Sequence, residues 1–233
     1  MGIELEIFDI LTQKKYRKDR PYKKDKILET ISKFTLDSTP IKVVGYWGIG
    51  HKKSPNWAED ATCNFLLELR DKITNVYPPG INFTFILPIP YGYLNRIPEN
   101  KILSYAYSMR QLFKSIQFEC IELLPLWNKY NISLNEIEDI LEQKSENWWM
   151  DIKNNKKMEY NAKKINYLET PEIAAQKIFI LRQCEKRMLE NEFSCSIFMC
   201  FYDSGKRNIL PDIPTLYFYT RKGWSNAPWF VYT

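Results

Sequence analysis

Residues 41–46 (IKVVGY), 81–87 (INFTFIL) and 118–123 (FECIEL) decide the fold. The first run follows Pro40, the second follows Pro78-Pro79-Gly80, and the second ends in the Pro88-Ile89-Pro90-Tyr91-Gly92 loop. Short apolar runs bounded in this way read as buried strands. Between the first two, Asn56 can cap a helix with Glu59 at the capping-box position, and Ala58, Cys63, Leu66, Leu67, Leu69, Ile73 and Val76 continue it at helical spacing. Between the second and third, a helix from about Glu99 to Ser115 carries Ile102, Tyr105, Ala106, Met109, Leu112 and Phe113 on one side. Strands alternating with amphipathic helices predict a Rossmann-like α/β fold, a parallel sheet with right-handed crossovers and helices on both faces.

Further elements extend outward from this centre. Residues 3–11 suggest a short helix, and Asp25 to Phe34 a second one with Ile27, Leu28, Ile31 and Phe34 at helical spacing. These helices and the tract between them form a predicted N-terminal unit, residues 1–35, ahead of a single domain over 36–233. Residues 126–165, with Trp127, Trp148 and Trp149, read as a helical insertion. Thr170-Pro171-Glu172 opens another helix, with Thr as cap and Pro in the first turn. Ser194 to Tyr202, Leu216 to Tyr219 and Trp229 to Tyr232 read as extra C-terminal strands, and Asp203-Ser204-Gly205-Lys206 as a hairpin turn.

Composition narrows the chemistry. The chain has 233 residues, 35 of them aromatic, enough apolar surface to exclude disorder for its bulk. Its single histidine, His51, excludes metal sites and fingers that need two. The five cysteines include no Cys-x-x-Cys, so reduced thiols in a cytoplasmic protein are expected. Neither a metal nor another cofactor is expected. No apolar run reaches the ~18–20 residues of a membrane span, and the acidic start is unlike a signal peptide.

The net charge of +5 is local. Residues 14–26 (KKYRKDRPYKKDK) hold eight bases and two acids, so the other 220 residues together sum to −1. Lys14, Lys15, Arg17, Lys18, Arg20, Lys23 and Lys24 suit the phosphates of a nucleic acid or an anionic ligand. The same tract also suits a solvated linker.

In an open parallel sheet, ligands bind beyond the carboxyl ends of the strands. The loop after the first strand, residues 45–56 (GYWGIGHKKSPN), is the richest there. Its glycines allow close backbone approach, and the following helix N-terminus offers amides to an anion. Gly48, Gly50, Lys52 and Asn56 are its candidate substrate-binding residues; Lys53, Ser54 and His51 are its candidate catalytic ones. His51 can act as a general base oriented by Asp60 or Glu59. Tyr91 and Asn95 after the second strand can read polar groups, Glu122 and Trp127 lie after the third, and Trp229 is a further candidate. The aromatic residues among these also suit a core.

Lys53-Ser54-Pro55-Asn56, Ile73-x-x-Val76-Tyr77-Pro78-Pro79-Gly80, Ser104-Tyr105-x-x-x-Met109-Arg110, and the segments Ser194 to Asp203 and Ala227-Pro228-Trp229-Phe230 follow one another in an order that resembles the isocyanide (isonitrile) synthases. The resemblance covers about residues 40–115 and 194–231. It implies a metal-independent biosynthetic enzyme that condenses the amine of an amino acid with the carbonyl of a sugar phosphate, with the loop lysines holding the phosphate or Lys53 acting on the carbonyl. A second resemblance is to the tRNA-dependent cyclodipeptide synthases. It implies aminoacyl transfer from charged tRNA to Ser54, with Asn56 nearby, tRNA on the basic tract, and Tyr167 and Glu169 as later polar groups. A third possibility is a non-catalytic nucleic-acid or protein binding module.

Overall fold

A computed structural model describes residues 2–140, 171–201, 213–220 and 227–231. Five strands, β1 (Ile41–Tyr46), β2 (Ile81–Leu87), β3 (Glu119–Glu122), β4 (Ile197–Cys200) and β5 (Thr215–Tyr217), form one sheet in the order β3-β2-β1-β4-β5. Every neighbouring pair is parallel, with Gly45 opposite both Phe85 and Met199. The chain builds outward from β1 through β2 to β3, then returns to the other side of β1 for β4. That reversal makes the carboxyl end of β1 the switch point of a Rossmann-like α/β fold.

Alternate residues of the strands feed two cores. Val43, Phe83, Phe85, Ile197 and Met199 face α2 (Lys24–Leu36), α3 (Trp57–Val76) and α5 (Glu99–Ser115), burying Ile31, Leu66, Leu69, Met109 and Phe113. Val44, Ile86 and Phe198 face the opposite way. They meet α4 (Ile89–Leu94), α6 (Leu123–Lys129) and α7 (Pro171–Glu192) through Leu94, Trp127, Leu181, Met188 and Leu189. The period-two alternation therefore places helices on both faces.

The N-terminal helices share the first core. Ile7, Phe8 and Leu11 of α1 (Ile3–Leu11) and Ile27 and Ile31 of α2 pack in the same cluster as Ile41 and Ile73. The basic tract between them runs along the sheet edge. Arg17 and Tyr22 bridge Phe218 and Thr215 in antiparallel fashion, and Lys18 N donates to Tyr217 O at 2.7 Å. This contrasts with the expectation of a solvated linker: unpaired β5 backbone groups are satisfied by the tract, and Tyr16 is fully buried beneath it.

Local differences from the sequence reading have physical causes. The expected 88–92 loop is largely the short helix α4, because Pro88 and Pro90 fall at its start, where a missing N–H costs nothing. Pro228–Phe230 form a 3₁₀ turn rather than an edge strand, opened by Ala227-Pro228. Of the insertion, Leu123–Lys129 and residues 134–140 are helical. Trp148, Trp149, Tyr167, Glu169, the Thr170 cap and the 203–206 turn lie outside the described residues. Among the described residues no helix is long and apolar enough to cross a membrane.

Gly45 marks where the sheet is tightest. A Cβ there would stand 2.5 Å from Met199 Cγ and 3.0 Å from the Met199 carbonyl oxygen, and the backbone oxygen cannot rotate away. Gly45→Ala is expected to lower stability by about 1–3 kcal/mol, read as a lower urea midpoint with an unchanged slope.

Candidate functional site

At the carboxyl end of β1, consecutive residues turn to opposite faces of the sheet. Tyr46 goes to the α7 side, where it donates to a fully buried glutamate, and Trp47 to the α3 side, where it reaches a second one through the Tyr105 hydroxyl.

On the α7 side the carboxylate is Glu185, at 0% exposure. It accepts hydrogen bonds from Tyr46 Oη (3.0 Å), Tyr91 Oη (2.6 Å), Arg182 Nη1 (2.8 Å) and Trp127 Nε1 (2.9 Å). Three of the donors converge on Oε2 and Trp127 on Oε1, so Glu185 orients its neighbours from both oxygens. The Arg182 guanidinium carbon stands 4.0 Å from the Tyr46 ring centroid and 5.6 Å from that of Tyr91, and the two rings stack 5.8 Å apart. Burial opposes the Arg182 charge, but the phenols of Tyr91 and Tyr46 and the Glu185 carboxylate outweigh it and raise its pKa. Burial, reinforced by the charge of Glu185, pushes the Tyr46 and Tyr91 phenols well above their ordinary value. Both stay protonated donors at neutral pH, and both residues are half-buried at the carboxyl ends of β1 and β2.

On the α3 side the carboxylate is Glu59, also at 0% exposure. Lys52 Nζ lies 2.6 Å from its Oε1 and 2.7 Å from its Oε2, and also donates to the carbonyls of Pro228 (2.9 Å) and Val231 (3.0 Å). Tyr105 Oη donates to Glu59 Oε1 at 2.7 Å and accepts from Trp47 Nε1 at 3.2 Å. Asn56 caps α3 by accepting from Ala58 N (2.9 Å), its own N–H donates to Glu59 (2.9 Å), and its amide donates to Val231 O (2.8 Å). Burial lowers the Lys52 pKa and Glu59 opposes that shift, while burial and then the Glu59 charge push the Tyr105 phenol well above its ordinary value. Trp229, 3% exposed, lies directly on Gly48, where a Cβ would meet the indole at 2.4 Å. The 45–56 loop is thus closed by residues 227–231, through a lysine, an asparagine and an indole.

The candidate residues therefore divide into three groups. Tyr91 and Trp127 converge on Glu185, whereas Gly48, Lys52, Asn56 and Trp229 converge on the staple around Glu59. Lys53 and Ser54 stand exposed at the tip of the loop, His51 is half-buried beside them, and Gly50 is buried. Burial and the nearby Lys101 charge lower the His51 pKa, so the imidazole is neutral at pH 7. Asn95 ends α4, and Glu122 pairs with Arg110 at the end of β3. In the basic tract Lys15 pairs with Glu68, and Lys18 Nζ donates to Phe201 O at 3.1 Å. Among the described residues, no three His, Cys, Asp or Glu side chains gather in a metal-binding arrangement.

Sequence reasoning passed over Tyr46, Arg182 and Glu185 as site residues, read Tyr105 only as a core and motif residue, and used Glu59 as a cap and as a possible orienter of His51 rather than as the centre of a buried cluster. One signal was present. Leu181, Glu185, Met188 and Leu189 follow the spacing of a single helix face, so a carboxylate interrupts an apolar stripe that a core helix would keep uniform.

No protein-family model matches the chain, and neither does any curated protein sequence. Among solved structures the chain is similar to the PvcA protein from Pseudomonas aeruginosa. The TM-score is 0.67 at 16% identity, covering 98% of this chain and 88% of that one. The fold is shared over nearly the whole length.

Two outcomes are expected. Lys52→Met strands Glu59 without its cation and releases the 227–231 segment, so chemical denaturation should show a loss of about 3–5 kcal/mol. Raised phenol pKa values in the folded state mean that stability is fully present below about pH 10, where unfolded tyrosines begin to ionise, and is lost as pH climbs through the folded values. Phenolate absorbance should therefore show Tyr46, Tyr91 and Tyr105 titrating only with unfolding, one residue fewer in Tyr105→Phe.

Proposed function

We propose that the chain is a biosynthetic enzyme of the isocyanide-synthase kind, joining the amine of an amino acid to the carbonyl of a sugar phosphate. The observation that carries this reading is that motifs resembling that family occur in the same order on a fold similar to PvcA over 98% of the chain. Within this fold the motif residues are largely scaffold. Asn56 caps α3, Tyr77 Oη ties the carbonyls of Phe34 and Thr39 at 2.8 Å each, Gly80 turns with φ +72° into β2, and Tyr105 supports Glu59. The chemistry is then assigned to what this scaffold holds at the rim.

In this reading the amino acid lies beyond β1 and β2, beside half-buried Tyr46 and Tyr91. Glu185 and Arg182 hold both phenols in place. His51, neutral at pH 7, takes a proton from the substrate ammonium to expose its lone pair. Lys53, exposed on a loop that the Lys52 staple keeps rigid, donates to the carbonyl oxygen as the amine attacks. A C–N bond forms, the nitrogen returns a proton to Lys53, and the oxygen, protonated once by Lys53 and once by the imidazolium, leaves as water with C=N formation to give an iminium, the first step toward an isonitrile. Nothing in the fold likeness supports the aminoacyl-tRNA alternative, and no observed geometry favours it.

Incubation with amino acids and a pentulose phosphate, followed by mass spectrometry of trapped isonitrile, tests the reading. Turnover is expected, with His51→Gln and Lys53→Met each lowering kcat by about 100-fold, the smaller end of proton-transfer and charge-stabilising effects. Glu185→Gln should raise KM for the amino acid more than it lowers kcat. Amino acid left unconsumed across the full set by well-folded protein overturns the reading.

A further inference from the structure

Arg182 stands at the switch point with more donors than its neighbours among the described residues use. We propose that it binds the carboxylate of the amino acid, through the guanidinium edge that Glu185 does not take. This rests on the amino-acid substrate of the reading above and is tested by binding rather than turnover, so that the two can fail separately.

The position follows from the sheet. Tyr46 ends β1 and Cys200 ends β4, and the register that sets Gly45 beside Met199 brings these two carboxyl ends together. Arg182, from α7, serves both. Its guanidinium carbon lies 4.0 Å from the Tyr46 ring centroid, and Cys200 is within reach of its charge. Ligands of open parallel sheets lie in the crevice where strand order reverses, and here that is between β1 and β4.

The guanidinium is held before any ligand arrives. Its side chain is 9% exposed, Nη1 donates to Glu185 Oε2 at 2.8 Å, and the Tyr91 ring centroid lies 5.6 Å away beside that of Tyr46. An arginine has five N–H donors. Among the described residues, Glu185 is the one hydrogen-bond acceptor that meets this one. No Arg182 nitrogen is both sealed from solvent and without a hydrogen bond, so those that Glu185 leaves reach water. Tyr46, Tyr91 and Cys200 around it are half-buried. Donors fixed in this way lose little freedom on binding.

Charge selects the ligand. Arg182 and Glu185 form a pair without net charge, so attraction comes from directed hydrogen bonds at contact rather than from a long-range field. A planar monoanion matches the Nε–Nη2 fork and accepts two parallel bonds there. A phosphate dianion would set twice the charge beside the Glu185 carboxylate against the same guanidinium.

Isothermal titration of the full chain with the twenty proteinogenic L-amino acids, each beside its α-carboxamide, tests the inference. At least one amino acid is expected to bind, one per chain, with its amide about tenfold or more weaker for want of the charge-assisted pair of bonds. That comparison needs no variant. Arg182→Lys keeps a cation beside Glu185 but not the fork, so the preference for acid over amide should fall by about tenfold, whereas a merely structural arginine would weaken both alike. Equal affinity for acid and amide, a preference unchanged in Arg182→Lys, or no binding of any amino acid overturns the inference. The expected preference without isonitrile formation supports the carboxylate site and overturns the reaction, while turnover of the amide as readily as the acid does the reverse.

Discussion

The structure turns on the end of β1, where Tyr46 and Trp47 leave the sheet in opposite directions, Tyr46 onto buried Glu185 and Trp47, through the Tyr105 hydroxyl, onto buried Glu59. A carboxylate without solvent is costly unless every lone pair finds a donor, so both faces of the sheet must converge at this point. Glu185 draws in the helix after β2, the helix after β3 and α7. Glu59 draws in α3, α5, the 45–56 loop and the 227–231 segment. The elements that meet at the switch point are therefore fixed by ionic hydrogen bonds rather than by apolar packing alone.

The two glutamates do different work. Glu185 is surrounded by side chains from β1, α4 and α6, so its order is passed to the carboxyl ends of β1 and β2. Glu59 is surrounded by a backbone cap, a lysine and two carbonyls reached through that lysine, so its order is passed to the loop itself. An apolar replacement of either cluster would fill space but would leave Tyr46, Tyr91 or the loop tip free to choose among rotamers. That division explains why residues of similar appearance, Lys52 and Lys53, have opposite environments one position apart: Lys52 points into the staple and Lys53 stands in solvent.

The sheet was legible because its evidence is local. IKVVGY and INFTFIL are too apolar to lie anywhere but between two layers, and the Asn56–Glu59 box states where α3 begins. The carboxyl-end rule then located the loop and placed Tyr91 and Trp127 near one another before any contact was known. What escaped depends on sequence-distant partners. Glu185 meets Tyr46 across 139 residues and Trp127 across 58, and no spacing rule reports such pairs. The packing of the basic tract escaped for a related reason: its charge is visible in the sequence, while its role as cover for β5 depends on an edge that exists only after the sheet is assembled.

Charge at the rim follows from the same accounting. Inside, Lys52 meets Glu59 and Arg182 meets Glu185, so each buried cation has its carboxylate and little field escapes. Among the described residues, cations at the surface of this end include Lys53 at the loop tip and the bases of residues 14–20 at the β5 end. Because the tract is strapped to the sheet rather than trailing from it, those cations keep a fixed position relative to the carboxyl ends of the strands. The excess of positive charge, confined by sequence to thirteen residues, becomes a feature of the rim only because β5 needs an edge cover.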